Sequence, residues 1–182
     1  MTRLTAMALA VAMSLAAPAA RAADTAAATS EAEILDDITI ITTQNMDFGV
    51  MAQPSAPGTV VMTPSVTPTC TTTGGIIRVG SCQPAEFSGF GTTNQIVRIQ
   101  LPNFPVIISN GVETMTIDAR SISGDPSLAY VSGNPAANGL VRYRIVSGDG
   151  RFSFRVGGTL YVNANQGFGQ YVGTFDVTVA YQ

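Results

Sequence analysis

The chain of 182 residues has no histidine, no lysine and no tryptophan; its nine basic residues are all arginines. Without histidine or lysine the usual Ser-His-Asp triad has no base, and nucleophilic catalysis of that kind is excluded. Cysteine chemistry meets the same objection, since only Cys70 and Cys82 are present, with no CxxC spacing and no histidine to complete a metal site. Charged residues make up only 12% of the chain. With no lysine, no run of basic residues and a net negative charge, the chain has little to neutralise phosphates, so a nucleic-acid partner is not expected.

What is present is an exported, all-β composition. Arg3, the apolar run Leu4 to Ala17 and the small-x-small triplet Ala20-Arg21-Ala22 read as a secretory signal over residues 1–22. The run is too short, and too soon followed by Pro18 and Arg21, to span a membrane, and no second one follows. Loss of Arg3 and Arg21 with that segment moves the formal charge from −3 to −5. About 160 residues then remain, enough for one domain with its own core. Val, Ile, Thr, Gly and Ser dominate this remainder, with few helix formers. In an oxidising compartment two cysteines have one possible pairing, so a Cys70–Cys82 disulfide is expected, contributing roughly 3 kcal/mol in the chain-entropy model.

Short alternating segments recur between turn signals. The chain is predicted to be strand-like through Ile34, Ile38, Ile40 and Ile41, with strands at Thr59–Met62, Ile76–Val79, Glu86–Ser88, Gln95–Leu101 and Val106–Ile108, and then at Glu113–Asp118, Leu128–Val131, Leu140–Val146, Arg151–Val156 and Thr159–Val162. Asn110-Gly111 between two apolar alternations is a strong hairpin signal. Gly133-Asn134-Pro135, Ser147-Gly148-Asp149-Gly150 and Gly157-Gly158 read as turns. No helical period and no fixed repeat is visible. The pattern predicts a single antiparallel β-sandwich over residues 35–182.

Candidate chemistry is sparse. Glu86, Glu113, Asp118 and Asp149 would suffice for a two-carboxylate hydrolase, but nothing in their spacing brings two together. Asp36-Asp37, Asp125 and Asp149 do not match a calcium loop, and turn chemistry explains them. No enzyme, cofactor or metal is expected. Arg142 and Arg144 share one strand face opposite Val141, Tyr143 and Ile145. That face reads as a solvated sheet surface or as a patch for an anionic glycan or partner.

The last ten residues, Gly173 to Gln182, alternate without a fault, with Phe175, Val177, Val179 and Tyr181 on one face. At the other end, Ala26, Ala28, Ser30, Ala32 and Ile34 alternate with Ala27, Thr29, Glu31 and Glu33. Two readings of this extension, residues 23–34, stand side by side. It is a flexible leader left after signal cleavage, or a strand that adds to the sheet edge of a neighbouring subunit.

Met46-Asp-Phe-Gly49, Val156-Gly-Gly-Thr-Leu-Tyr-Val162, Gln166, Gly169 and Tyr171-Val-Gly-Thr-Phe-Asp-Val-Thr-Val-Ala-Tyr181 resemble a family of secreted bacterial proteins, the domain of unknown function 4402. Asn110-Gly111 before Met115-Thr-Ile-Asp118 fits the same pattern, while the Cys70–Cys82 region departs from it. The C-terminal phrase is also similar to that of chaperone–usher fimbrial subunits of the archaic, spore-coat-U-like branch. That resemblance implies an immunoglobulin-like, pilin-like sandwich lacking one strand, supplied first by a periplasmic chaperone and then by the extension of a like subunit. It implies that Phe175, Val177, Val179 and Tyr181 line the receiving edge, and that Ala26, Ala28, Ala32 and Ile34 belong to the donor. The expectation is an exported structural or adhesion protein of periplasm, fimbrium or medium. The alternative is a self-complete binding module for a glycan or protein.

Overall fold

A computed structural model describes residues 32–182, and within them Ile34–Gln182 form one compact unit. The predicted signal segment, Ala26 and Ala28 lie outside the described residues. In chain order the strands are β1 (Thr39–Gln44), β2 (Val50–Met51), β3 (Gly58–Met62), β4 (Cys70–Thr72), β5 (Arg78–Val79), β6 (Ala85–Phe90) and β7 (Ile96–Gln100). β8 (Val106–Ser109), β9 (Thr114–Gly124) and β10 (Leu128–Asn134) follow. A single helical turn, α1 (Pro135–Asn138), leads into β11 (Leu140–Ile145), β12 (Arg151–Val162) and β13 (Thr178–Tyr181). Among the described residues no helix is long and apolar enough to cross a membrane.

The strands form an all-β antiparallel sandwich. In the seven-stranded sheet β12 is the axis: β9 runs along one side of it, while β6 and β3 share the other. β1, β4 and β8 border this sheet beyond β6, β3 and β9. The second sheet has the order β10-β11-β7-β13, and β2 pairs with β5 as a separate ribbon. Inward residues of the two sheets meet in one core. Val97, Ile99, Val141, Tyr143 and Ile145 come from the smaller sheet, and Val60, Met62, Phe87, Ile117, Phe154 and Leu160 from the larger. Period-two patterning therefore places one face of each strand in the core, as the sequence predicts. The Asn110-Gly111 hairpin joins β8 to β9, and Cys70 and Cys82 are bonded with Cα atoms 5.8 Å apart.

Four expectations are corrected. Arg151–Val156 and Thr159–Val162 are one unbroken strand, so Gly157-Gly158 is not a turn. A Cβ on Gly157 would lie 2.5 Å from the Met62 carbonyl oxygen, and one on Gly158 would overlap the Asp118 carbonyl oxygen. These glycines let the neighbouring backbones approach β12. Gly133 and Asn134 continue β10, and Asn134 caps α1 by accepting from the Ala137 N–H at 3.3 Å, so one helical turn interrupts the otherwise β chain. The strand predicted at Ile76–Val79 is confined to Arg78–Val79, with Ile76 buried in the turn before it.

The last correction concerns the C-terminus. The alternation from Gly173 is continuous, yet regular strand begins only at Thr178. β13 pairs with β7 from Tyr181↔Val97 back to Thr178↔Gln100; in that register Val177 would follow opposite Leu101, and the next hydrogen-bonded pair would be Asp176 opposite Pro102. Proline has no N–H to give to the ladder, so pairing stops there.

Candidate functional site: a cleft beside the last strand

A cleft of about 1240 Å³ opens between two irregular segments of the sandwich. Thr42 and Asn45–Pro54 form one wall, and Gln166–Asp176 the other. Its floor is the sandwich interior, touched by Phe87, Val106, Met115, Ile117, Leu160 and Val162. The rim carries exposed apolar side chains: Phe168 is 83% exposed, Val50 68% and Val172 63%. This exposed apolar surface is continuous with the apolar floor of the cleft.

Each wall is fastened by hydrogen bonds. On the first, Asp47 and Gln83 exchange backbone bonds of 2.8 and 2.9 Å. Arg78 donates Nε to the Phe48 carbonyl at 2.6 Å and also donates to the Ser81 carbonyl. On the second, Gln166 is the buried polar residue of the core. Its Nε2 donates to Glu113 Oε2 at 2.8 Å and to the Tyr171 hydroxyl at 2.9 Å. The Gly167 N–H donates to the same Glu113 oxygen at 2.7 Å, and the Tyr171 hydroxyl donates to the Gly167 carbonyl at 2.9 Å. Ser109 and Val172 exchange backbone bonds of 2.9 and 3.0 Å, tying this wall to β8. The two walls join at one end, where Asn165 N–H donates to the Pro54 carbonyl at 2.7 Å and Gln53 Nε2 reaches the Asn165 and Gln166 carbonyls at 3.2 Å.

Glu113 is the hub of the second wall. Its replacement by alanine leaves the buried Gln166 amide and the Gly167 N–H short of an acceptor. The expected cost is about 1–3 kcal/mol of stability. Amide exchange in residues 163–172 is expected to speed up while exchange in β7 and β11 stays unchanged, as hydrogen–deuterium exchange would record.

The predicted edge residues sit at the other end of the cleft. Phe175 lines it, half-buried, with its ring 6.5 Å from that of Phe87 at 62°. Val177 is half-buried, and Val179 is buried against the core. The Tyr181 hydroxyl accepts from the Thr92 N–H at 2.7 Å and donates to the Asp36 carbonyl at 2.8 Å. The chain entering β1 is thereby tied to the end of β13. Of the predicted donor residues, Ala32 is exposed and Ile34 is 97% exposed. β13 is an edge strand: among the described residues its ladder partner is β7, on one side only. The free edge and the cleft follow one another along residues 166–181.

The carboxylates considered for catalysis each have a partner elsewhere. Glu86 pairs with Arg155 at 2.8 Å, Asp118 with Arg120 at 2.7 Å, and Asp149 with Arg151 at 3.6 Å. Glu113 is occupied by Gln166 and Gly167, and Asp125 accepts from the Ser153 hydroxyl at 3.0 Å. The Arg120 guanidinium is held above its ordinary value by its hydrogen bond to Asp118. Among the described residues no group of three or more acidic or cysteine side chains is placed to hold a metal ion.

A family model for a domain of unknown function (DUF4402) matches residues 38–181. The chain belongs to the DUF4402 family. The DUF4402 match starts one residue before β1 and ends on the last residue of β13. It takes in both walls of the cleft and leaves the extension outside. No curated protein and no solved structure matches the chain.

Sequence reasoning singled out the edge residues but not the two walls. Glu113 is 53 residues from Gln166, and nothing local to either one marks the pair. Phe48 and Gly49 stand in the Met46–Gly49 motif that carries the family resemblance, and that segment lies in the first wall.

Proposed function

We propose that this chain is an exported, non-enzymatic structural or adhesion subunit, similar to fimbrial subunits, that assembles by β-strand addition. The observation that carries this reading is the cleft of about 1240 Å³ lying in line with the free edge of β13. Small-molecule pockets run to about 300–1,000 Å³, so the opening is large for a compact ligand and suits a length of chain. An added strand would pair with the unused backbone groups of residues 173–181 and lower its alternate apolar side chains between the walls. The extension 26–34 supplies a segment of matching length. Both stretches have nine residues, about 30 Å at roughly 3.3 Å per residue. Ile34, almost fully exposed, would gain about 1.5–3 kcal/mol by burial in such a cleft. A periplasmic chaperone would use the same edge before a like subunit replaced it.

The test removes the donor. The mature chain and a form lacking residues 23–34 are compared by sedimentation and thermal unfolding. Oligomers or fibres are expected from the longer form and only monomers from the shorter. Two forms that are equally monomeric and equally stable would sink the proposal. A monomeric long form that loses stability on truncation would mean that the extension serves its own sandwich. A monomeric and self-complete domain that binds a glycan would favour the binding-module reading.

A further inference from the structure

The outer face of the smaller sheet carries three arginines and no acid. Arg98 on β7 stands directly opposite Arg142 on β11, and Arg144 follows two residues along β11. None of the four strands β7, β10, β11 and β13 contains Asp or Glu. Like charges directly opposed across a ladder are destabilising. The ion pairs among the described residues use Arg120, Arg151 and Arg155, and none of these three. Arg144 donates to the Asn94 carbonyl at 2.5 Å, and Arg142 Nε is buried without a hydrogen-bond partner. The cation excess is local, since the chain as a whole carries a net charge of −3. The opposite excess lies in the extension and the entry to β1. Asp24, Glu31, Glu33, Asp36 and Asp37 occur there, and no arginine stands between Arg21 and Arg78.

Resting on the strand-addition reading, we propose that the arginine face is the register-setting receptor for Glu31 and Glu33 of a second copy of this chain. On β13 the residue facing Arg98 is Ala180. A strand added to the free edge of β13 would lie two strands from β7, about 9.6 Å at roughly 4.8 Å per step. Between them stands only the methyl group of Ala180, over which a long arginine and a glutamate reach one another. Side chains alternate, so a parity that sends Ala26, Ala28, Ala32 and Ile34 inward sends Glu31 and Glu33 out onto the face of Ala180 and Arg98. A slip of one residue would drive both carboxylates into an apolar cleft and leave the arginines unneutralised. The acids thus add specificity to an extension whose small apolar side chains would fix its position only weakly.

The experiment is a charge-reversal cycle in the mature chain, read by sedimentation at low and moderate salt. The forms are wild type, Arg98→Glu with Arg142→Glu, Glu31→Arg with Glu33→Arg, and all four changes together. Each reversal alone is expected to weaken association about tenfold, and the four together to restore it to within about threefold of wild type. Salt is expected to weaken wild-type association. Far-ultraviolet circular dichroism checks that the variants fold. If the double arginine variant does not, Arg98→Gln takes its place, with a smaller loss and a flatter salt dependence expected. Effects of the two reversals that simply add, or association unmoved by any of them, would overturn the arginine receptor. If association also vanished on Ile34→Asp, strand addition would survive that result. A wild-type chain that does not associate at all would take both proposals down.

Discussion

Valine at position 158 is expected to abolish the folded state, with a loss of more than about 4 kcal/mol, beyond the range of ordinary substitutions. Gly158 lies near the middle of β12, flanked by β9 on one side and β3 on the other. An added Cβ would overlap the Asp118 carbonyl oxygen and come within 2.9 Å of Ala119 Cα and 3.0 Å of Asp118 C. All three are backbone-bound atoms of a paired strand, so no rotamer change relieves the clash. The pairing of β12 with β9 would have to open, at the bulge between Gly157 and Thr159 that already weakens the ladder. Urea unfolding followed by circular dichroism checks this, with Gly148→Ala as control. A Cβ on Gly148 meets nothing within 4 Å, so its stability is expected to stay within about 0.5 kcal/mol of wild type. A Gly158→Val midpoint close to wild type would refute the account of β12.

The same glycines show where reading the sequence stops. Gly157-Gly158 is a turn signal by local chemistry, and only the backbones of Met62 and Asp118, distant in sequence, turn it into the inside of a strand. Where the deciding neighbours are local, the sequence is enough. The alternation of Val97, Ile99 and Leu101, the Asn110-Gly111 hairpin and the Val141, Tyr143, Ile145 face each follow from a period of two and a turn. The last strand is an intermediate case. Its inward set Phe175, Val177, Val179 and Tyr181 is legible, but its length is not, because the stop is imposed by Pro102 across the ladder. The cleft is the least legible feature. Its walls and floor are gathered from segments between Thr42 and Asp176, and its polar fastening depends on Glu113 meeting Gln166.

Phe154→Ala is expected to cost about 3–5 kcal/mol, the range for an aromatic removed from a closed core. Phe154 is fully buried at 0% exposure and faces Phe87 directly across the β6–β12 ladder. Their rings stack with centroids 5.3 Å apart and an interplanar angle of 17°. Phe87 in turn meets Phe175 edge-on at the mouth of the cleft. One aromatic row therefore runs from the centre of the sandwich to the proposed docking edge, and its members are expected to respond differently. Loss of the Phe154 ring leaves a cavity in the core between the two sheets, so stability falls whether or not the cleft is filled. Loss of the Phe175 ring removes a half-buried side chain from a segment outside the ladder, at a cost of about 1–2 kcal/mol. Its larger effect is expected on association, because an incoming strand would bury what is left exposed. Thermal unfolding and sedimentation of the two variants side by side separate these roles. Equal losses of stability, or association untouched by Phe175→Ala, would detach the last strand from assembly and leave Phe175 as one more core residue.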